Sequence, residues 1–430
     1  MLKKFSAVAT RLKKHGLKGR GDKAQRIVAL DIGTEFVKVL IATIHGDQLN
    51  IIGSSRVRQN LADMQAGAIA DISAVVANCD AALNQAEQSS GATSRTCVIG
   101  IAGELVQGNT TTIKISRKDP NRALDITEID RMIQLIQERA AERAKAKIQE
   151  ETGGKTPEVK LVNSALVSME IDGYKVTNPV GFQGKDITVQ LYTAFAPQIH
   201  IGALEKCANE LDMDLLAVAA EPFGVARSVI GNDTNSTMSA ILIDVGGGTT
   251  DIAVVNEGGV EGTKMFSIGG RIFTKAIERD LNVDYVTAEA LKVGLSTNRT
   301  PEAQRAPVEA ALNKTLEVWL NGVELALGEF DRLDHLPHQI LLCGGGASLQ
   351  VLVEALKERD WYKELPFTRR PTVQYIMPDQ VVGIVDTTDH EPDHTFITAM
   401  GLLRVAADTL GVFDNPGVSV RDRLNRMLRI

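Results

Sequence analysis

One motif occurs twice, and it fixes the architecture. Residues 27–44 (IVALDIGTEFVKVLIATI) and 240–255 (AILIDVGGGTTDIAVV) each run as an apolar, β-rich segment into Asp-x-Gly. Each then turns through small residues and threonine and resumes as a second apolar run. The pattern predicts a strand–turn–strand hairpin in both halves. Asp31 and Asp244 lie 213 residues apart in a chain of 430, so the sequence points to a duplicated α/β domain.

The two turns suit a particular chemistry. Gly33, Gly246, Gly247 and Gly248 carry no Cβ, so backbone N–H groups can reach a phosphate. Thr34, Thr249 and Thr250 add hydroxyl donors. Asp31, Asp244 and Asp251 would repel bare phosphate; they make sense beside a divalent cation, Mg²⁺ held largely through water. Two facing hairpins would then clamp a triphosphate. Strands follow these glycines, unlike the P-loop or the Rossmann loop, where a helix does. A single Asp-x-Gly between strands is usually only a turn; two at half-chain spacing are a motif.

The sequence excludes several alternatives. Its composition, 44% hydrophobic and 23% charged, is that of a globular protein. Aromatics make up 4%, too few for a platform that stacks single-stranded nucleic acid. Cys79, Cys97, Cys207 and Cys343 form no C-x-x-C, which suggests a reducing, cytoplasmic setting without disulfides or zinc. No apolar run is long enough to span a bilayer. His390-Glu391-Pro392-Asp393-His394 matches H-E-x-x-H, but Pro392 breaks the helix that a zinc site needs. Pro392 is expected instead to open a helix.

With these residues in view, the chain resembles the actin-like ATPase superfamily. Asp31–Thr34 and Asp244–Asp251 resemble its two phosphate loops. Ala220–Ala226 (AEPFGVA) and Ala399–Leu402 (AMGL) resemble its two connecting helices, and Ile340–Ala347 (ILLCGGGA) its adenosine motif. The resemblance implies two duplicated ribonuclease-H-like domains around a nucleotide cleft, with ATP and Mg²⁺ as ligands and at most slow hydrolysis. It implies that Glu221 orients water near the γ-phosphate, whereas Glu221 before Pro222 reads by itself as a first-turn dipole partner. It implies that Glu289 and Lys292 embrace the ribose, although at i,i+3 they read alone as a surface ion pair. Lys38 is implied as a phosphate contact, an exposed strand lysine being the commoner case. Gly344, Gly345 and Gly346 would admit adenine at a helix start.

The segment 94–195 resembles, more narrowly, the SHS2-type subdomain of FtsA, a bacterial cell-division family; PilM-type pilus-assembly proteins share that insertion. Ser94–Gly108, Leu161–Ile171 and Ile187–Phe195 read as strands. Thr127–Glu151 reads as a charged helix with a Thr127-x-x-Asp130 capping box, and Asn178-Pro179-Val180-Gly181 follows the second strand. The expected division is 1–26 as a basic N-terminal segment, 27–93 with 196–238 as the first domain, 94–195 as the insertion, 239–264 with 329–410 as the second domain, 265–328 as its subdomain, and 411–430 as linker and helix.

The ends are basic on an acidic body. Residues 1–26 carry nine Lys/Arg against Asp22, and residues 421–430 carry four arginines against Asp422, in a chain of net charge −7. On a helical wheel Leu2, Phe5, Val8 and Leu12 share one face. Val420, Leu424, Met427 and Leu428 do so at the other end. Basic amphipathic helices of this kind lie on anionic membranes. A helix packed on the body and a nucleic-acid arm are the other readings; the framed apolar stripes argue against nucleic acid. The FtsA resemblance implies a peripheral protein on the inner membrane face that forms filaments and anchors an FtsZ-type division ring. A PilM-type scaffold that binds a membrane partner's N-terminal peptide is the alternative. A small-molecule kinase is a further one, for which the sequence offers no catalytic acceptor aspartate.

Overall fold

The computed structural model describes residues 25–154, 157–231, 236–297, 299–388 and 393–412. The expected membrane-facing residues Leu2, Phe5, Val8, Leu12, Val420, Leu424, Met427 and Leu428 lie outside them, as do His390, Glu391 and Pro392 of the rejected zinc motif.

The first body begins with β1 (Arg26–Ile32), β2 (Phe36–His45) and β3 (Gln48–Arg58), an antiparallel meander. A two-residue pair, β4 (Met64–Gln65) and β5 (Ala68–Ile69), leads to helix α1 (Ile72–Ser90) and strand β6 (Thr96–Ile101). Strand β6 pairs parallel with β1. The chain then leaves this body for the insertion: β7 (Gln107–Ser116), α2 (Ile126–Thr152), β8 (Val159–Ile171), β9 (Tyr174–Lys175) and β10 (Asp186–Pro197). It returns as α3 (Gln198–Glu210), β11 (Asp214–Ala220) and α4 (Glu221–Ile230).

The second body repeats the first. A meander of β12 (Ala240–Val245), β13 (Thr250–Asn256) and β14 (Gly259–Phe266) precedes helices α5 (Gly270–Leu281), α6 (Tyr285–Ser296) and α7 (Glu302–Gly328). Then come β15 (Gln339–Cys343), α8 (Gln350–Glu358) and β16 (Thr372–Tyr375). Strand order is β11-β6-β1-β2-β3 in one body and β16-β15-β12-β13-β14 in the other, so the duplication read from the hairpins is a duplication of whole sheets. Both faces of the second meander are covered, which is why its strands are nearly continuous apolar runs. Ile241, Ile243, Ile252 and Val254 pack under α5 and α7, while Ala240, Leu242, Ala253 and Val255 belong to the core shared with the first body.

Four boundaries differ from the sequence expectation. Ser94–Gly108 is not one strand of the insertion: β6 lies inside the first sheet, between β1 and β11, and the insertion starts beyond it. Residues 329–410 do not all stay in the second body. Strand β17 (Ile384–Asp386) pairs with β3, and α9 (Ile397–Leu410) packs against α4 and over β1. Helix α2 is capped by Asp125, which accepts from the Glu128 amide, and not by Thr127; an Asx cap two residues upstream satisfies the same free N–H groups. The helix after the zinc-like motif starts at Ile397, five residues beyond Pro392.

The insertion's own core lies between α2 and the inner face of its sheet, through Ile129, Ile133, Ile136, Leu166, Val189 and Leu191. Its strand β7 also pairs with β14, through Gly262↔Asn109 and Thr263↔Gly108, so the insertion joins the second body edge to edge.

Candidate functional site

The two hairpin turns face each other. In the first, the Gly33 amide donates to Phe36 O at 3.1 Å; in the second, Gly246 donates to Thr249 O at 2.9 Å. The tips are in contact: a Cβ at Gly247 would lie 2.7 Å from Glu35 Cβ, and one at Gly248 would lie 2.6 Å from Thr34 Oγ1. Only glycine permits this approach.

Strand register places the charged groups. Asp31 pairs across its hairpin with Lys38, and Asp244 pairs across the equivalent hairpin with Asp251. Lys38 Nζ lies 3.0 Å from Asp31 Oδ2 and is almost buried, so it is not the exposed strand lysine that a bare reading favours. Burial works against its charge, but Asp31, Asp244 and Glu221 outweigh it and hold its pKa above the ordinary value. Glu221 heads α4 against Gly100 of β6. Burial, then the charges of Asp31, Asp251 and Asp244, push its carboxyl well above the usual range. Asp251 is pushed up in the same way by burial and Asp244. Asp244 is raised by burial, with Lys38 and the Thr398 hydroxyl opposing.

Four carboxylates thus share one buried cleft with a single lysine. Asp251 Oδ1 is buried without a hydrogen-bond partner. That surplus of negative charge and that open lone pair fit a divalent cation. Among the described residues no group of three or more His, Cys, Asp or Glu comes together to hold a metal directly, so a cation here would be held partly through water.

The remaining expected residues divide. Thr249 faces the cleft and donates to Asp251 Oδ2 at 2.9 Å. Thr250 does not: the alternation of β13 turns it to the opposite face. There its hydroxyl donates to Ile268 O at 2.7 Å and accepts from Trp319 Nε1 at 2.9 Å, so it is a core residue. Lys292 Nζ contacts Glu289 Oε2 at 2.8 Å, as an i,i+3 pair would, but the pair is not a free surface one. Lys292 also donates to Gly270 O and Thr274 Oγ1, and Thr274 donates to Glu289, so the three side chains fasten α6 to the first turn of α5. Gly344, with φ +84°, starts a 3₁₀ turn over Gly345–Ser348 that packs on Val245 at the end of β12. Beside it Tyr375 packs on His394, with ring centroids 4.5 Å apart and planes tilted by 36°, and donates to Ala347 O; burial lowers the His394 pKa.

Sequence reasoning missed Glu35, Arg271, Thr398 and the Tyr375–His394 shelf. Arg271 had a signal, a cation immediately after Gly269-Gly270 at a helix start. The shelf had none, because β16 and the residues before α9 meet only in the folded chain.

The two connecting helices cross where glycine faces glycine. A Cβ at Gly401 of α9 would lie 2.5 Å from the Gly224 carbonyl carbon of α4. An ion pair between Arg227 and Asp408, at 2.8 Å, holds the far ends together.

Two matching sheets, facing glycine turns and paired crossing helices define an actin-like fold of the ATPase superfamily. The comparisons narrow it. A family model described as cell division protein FtsA matches residues 241–401. The cell division protein FtsA of Streptococcus pneumoniae serotype 2 is 26% identical over 349 residues, which cover 76% of this chain and 72% of that protein. FtsA of Neisseria meningitidis serogroup B is 25% identical over 420 residues, covering 92% and 94%. A chain of the PilM-PilN type IV pilus biogenesis complex has the same fold, with a TM-score of 0.63 at 17% identity, covering 90% of this chain and 99% of its own. The chain is FtsA-like: it resembles these cell-division proteins in sequence over most of its length and has an actin-like fold. Among the described residues no helix is long and apolar enough to cross a membrane.

Proposed function

We propose that the chain binds ATP with Mg²⁺ between the facing turns, assembles into filaments on the inner face of the cell membrane and anchors the FtsZ division ring there. The observation that carries the nucleotide part is the buried surplus of carboxylates around Lys38 between two glycine turns. Asp31, Asp244 and Asp251 would hold the cation through water, and the turns at Gly33 and Gly246–Gly248, with Thr34, Thr249 and Lys38, would meet the phosphates; the Gly33 and Gly246 amides themselves are engaged within their hairpins, so the amides offered would be those of Gly247 and Gly248. A bound Mg²⁺ would neutralise phosphate charge. Glu221, whose carboxyl pKa is raised by burial and by the neighbouring carboxylates, would orient water, and a cation would lower that pKa. Gly344–Gly346, with Glu289 and Lys292, would receive the nucleoside. The connecting helices join the halves, so nucleotide state would set the angle between them, as a switch does.

The membrane part rests on the basic ends and their apolar stripes, with two weak anchors holding better than one. The FtsZ part rests on the relatives' description as cell-division proteins. Two experiments test the proposal. Asp244→Ala should abolish ATP binding in calorimetry while the circular dichroism spectrum is kept; unchanged affinity refutes the site. With ATP, the full chain should sediment with anionic liposomes, and versions lacking 1–20 or 418–430 should do so less; no sedimentation of the full chain refutes the tether. The shared fold of the PilM-type chain supports a second reading, a scaffold for a membrane partner's N-terminal peptide, and capture of such a peptide in place of the FtsZ tail would favour it.

A further inference from the structure

Arg271 touches both phosphate loops at once. Its backbone N–H, in the first turn of α5, donates to Gly247 O at 2.8 Å, beside the Gly270 amide on Gly246 O at 2.9 Å. Its side chain crosses the cleft in the other direction. Nε lies 2.7 Å from Glu35 Oε2, Nη2 donates to Thr34 O at 2.6 Å, and Nη1 donates to Leu61 O at 3.2 Å, with longer contacts to Asn60 O and Met64 O. Every one of these side-chain acceptors belongs to the first body, and the residue's own backbone belongs to the second.

The pair is enclosed as well as bonded. The Arg271 side chain is 9% exposed and that of Glu35 is 15% exposed. Glu35 is itself held in place: its other oxygen takes Arg58 at 2.6 Å, and its carbonyl accepts the Gln59 amide at 2.9 Å. A planar guanidinium with five donors in a fixed fork suits this mixture of carboxylate and carbonyl acceptors; a lysine ammonium could satisfy only part of it.

We infer that Arg271 is a clasp between the two bodies: it holds the phosphate loops face to face before any nucleotide arrives, and it positions Thr34 and Glu35 for the site. Nucleotide release then requires this clasp to break. Truncating one partner of a buried, hydrogen-bonded charge pair chiefly accelerates dissociation, so loss of Arg271 should speed nucleotide release by roughly 10- to 100-fold and change association far less. That arm rests on the ATP reading proposed above. The separation of the bodies without nucleotide does not.

The test uses the full chain, with spin labels at Gln88→Cys on α1 and Asn321→Cys on α7, both exposed; the four native thiols are buried. Distances between labels are read without nucleotide for the parent, Arg271→Met, Arg271→Lys and Glu35→Gln. The parent should give one narrow distribution, Arg271→Met a broadened and shifted one, and Arg271→Lys an intermediate one. The effects of Glu35→Gln and Arg271→Met should be less than additive. Circular dichroism melts identify any variant that has lost its fold, in which case Arg271→Lys and Glu35→Gln decide. Folded variants with the parental distribution overturn the clasp, whatever the protein does with ATP. Release of a fluorescent ATP analogue at the parental rate from folded Arg271→Met overturns its role at the site.

Discussion

The crossing of α4 and α9 joins the two bodies through backbone contact, and Gly401→Ala loads it directly. The new Cβ would meet the Gly224 carbonyl carbon at 2.5 Å, its oxygen at 2.6 Å and the Val225 amide nitrogen at 2.9 Å, all of them backbone atoms. Ordinary contact lies about 1 Å further out, so two helices must separate, because no side chain is present to rotate away. Overpacking of this kind costs about 1–3 kcal/mol, and a main-chain obstacle places it at the upper end. Alanine returns roughly 1 kcal/mol of helix propensity, which leaves a net loss of about 2 kcal/mol, or roughly 4–8 °C in melting temperature for a body of 150–250 residues. Gly202→Ala in α3 is the control: its Cβ would meet nothing within 4 Å, so the same exchange should stabilise by about 0.5–1 kcal/mol. The assay is thermal and urea unfolding followed by circular dichroism for the parent and both variants. The variant should also bind ATP more weakly, because Glu221 opens α4 and Thr398, the partner of Asp244, stands in the first turn of α9. A Gly401→Ala protein as stable as the parent would refute backbone contact at this crossing.

The carboxylates of the cleft give a pH signature. The folded pKa values of Glu221, Asp244 and Asp251 are raised, so the folded state holds protons that the unfolded chain releases, and stability falls as pH rises above about 4. Asp251→Asn removes one of these charges, so its stability advantage over the parent, measured without nucleotide and with chelator, should widen across that range; parallel curves refute it. Adding Mg²⁺ to the parent should narrow the gap. Thr250→Val leaves the Trp319 indole N–H and the Ile268 carbonyl unpaired in the core and should cost about 1–3 kcal/mol with ATP affinity unchanged. Calorimetry that showed weaker ATP binding by the folded variant would return Thr250 to the site.

What could be read from the sequence was what one strand or one turn decides alone. Asp-x-Gly between apolar runs is local chemistry, and its repetition carried the duplicated sheets, the facing loops and the carboxylates at seven-residue spacing. Register then assigned Lys38 and Asp251 to equivalent places in the two hairpins, one a cation and one an anion, which the spacing contained but did not explain. Reading failed where one residue's meaning depends on another element. Thr250 follows Thr249 in a run of small polar residues, yet the pleat sends adjacent side chains to opposite faces, and only Trp319, 69 residues away, shows which face is core. Strand β6 reads as part of the segment that follows it because both are apolar, and only its parallel pairing with β1 returns it to the first body. Arg271 is the sharpest case. A cation after two glycines at a helix start opposes the helix dipole and has no local reason to be there. The reason is Glu35, 236 residues earlier, and the pair exists only when the two halves have closed on each other. A residue that is locally unfavourable and globally satisfied marks a contact between the halves, and here that contact falls between the two glycine turns.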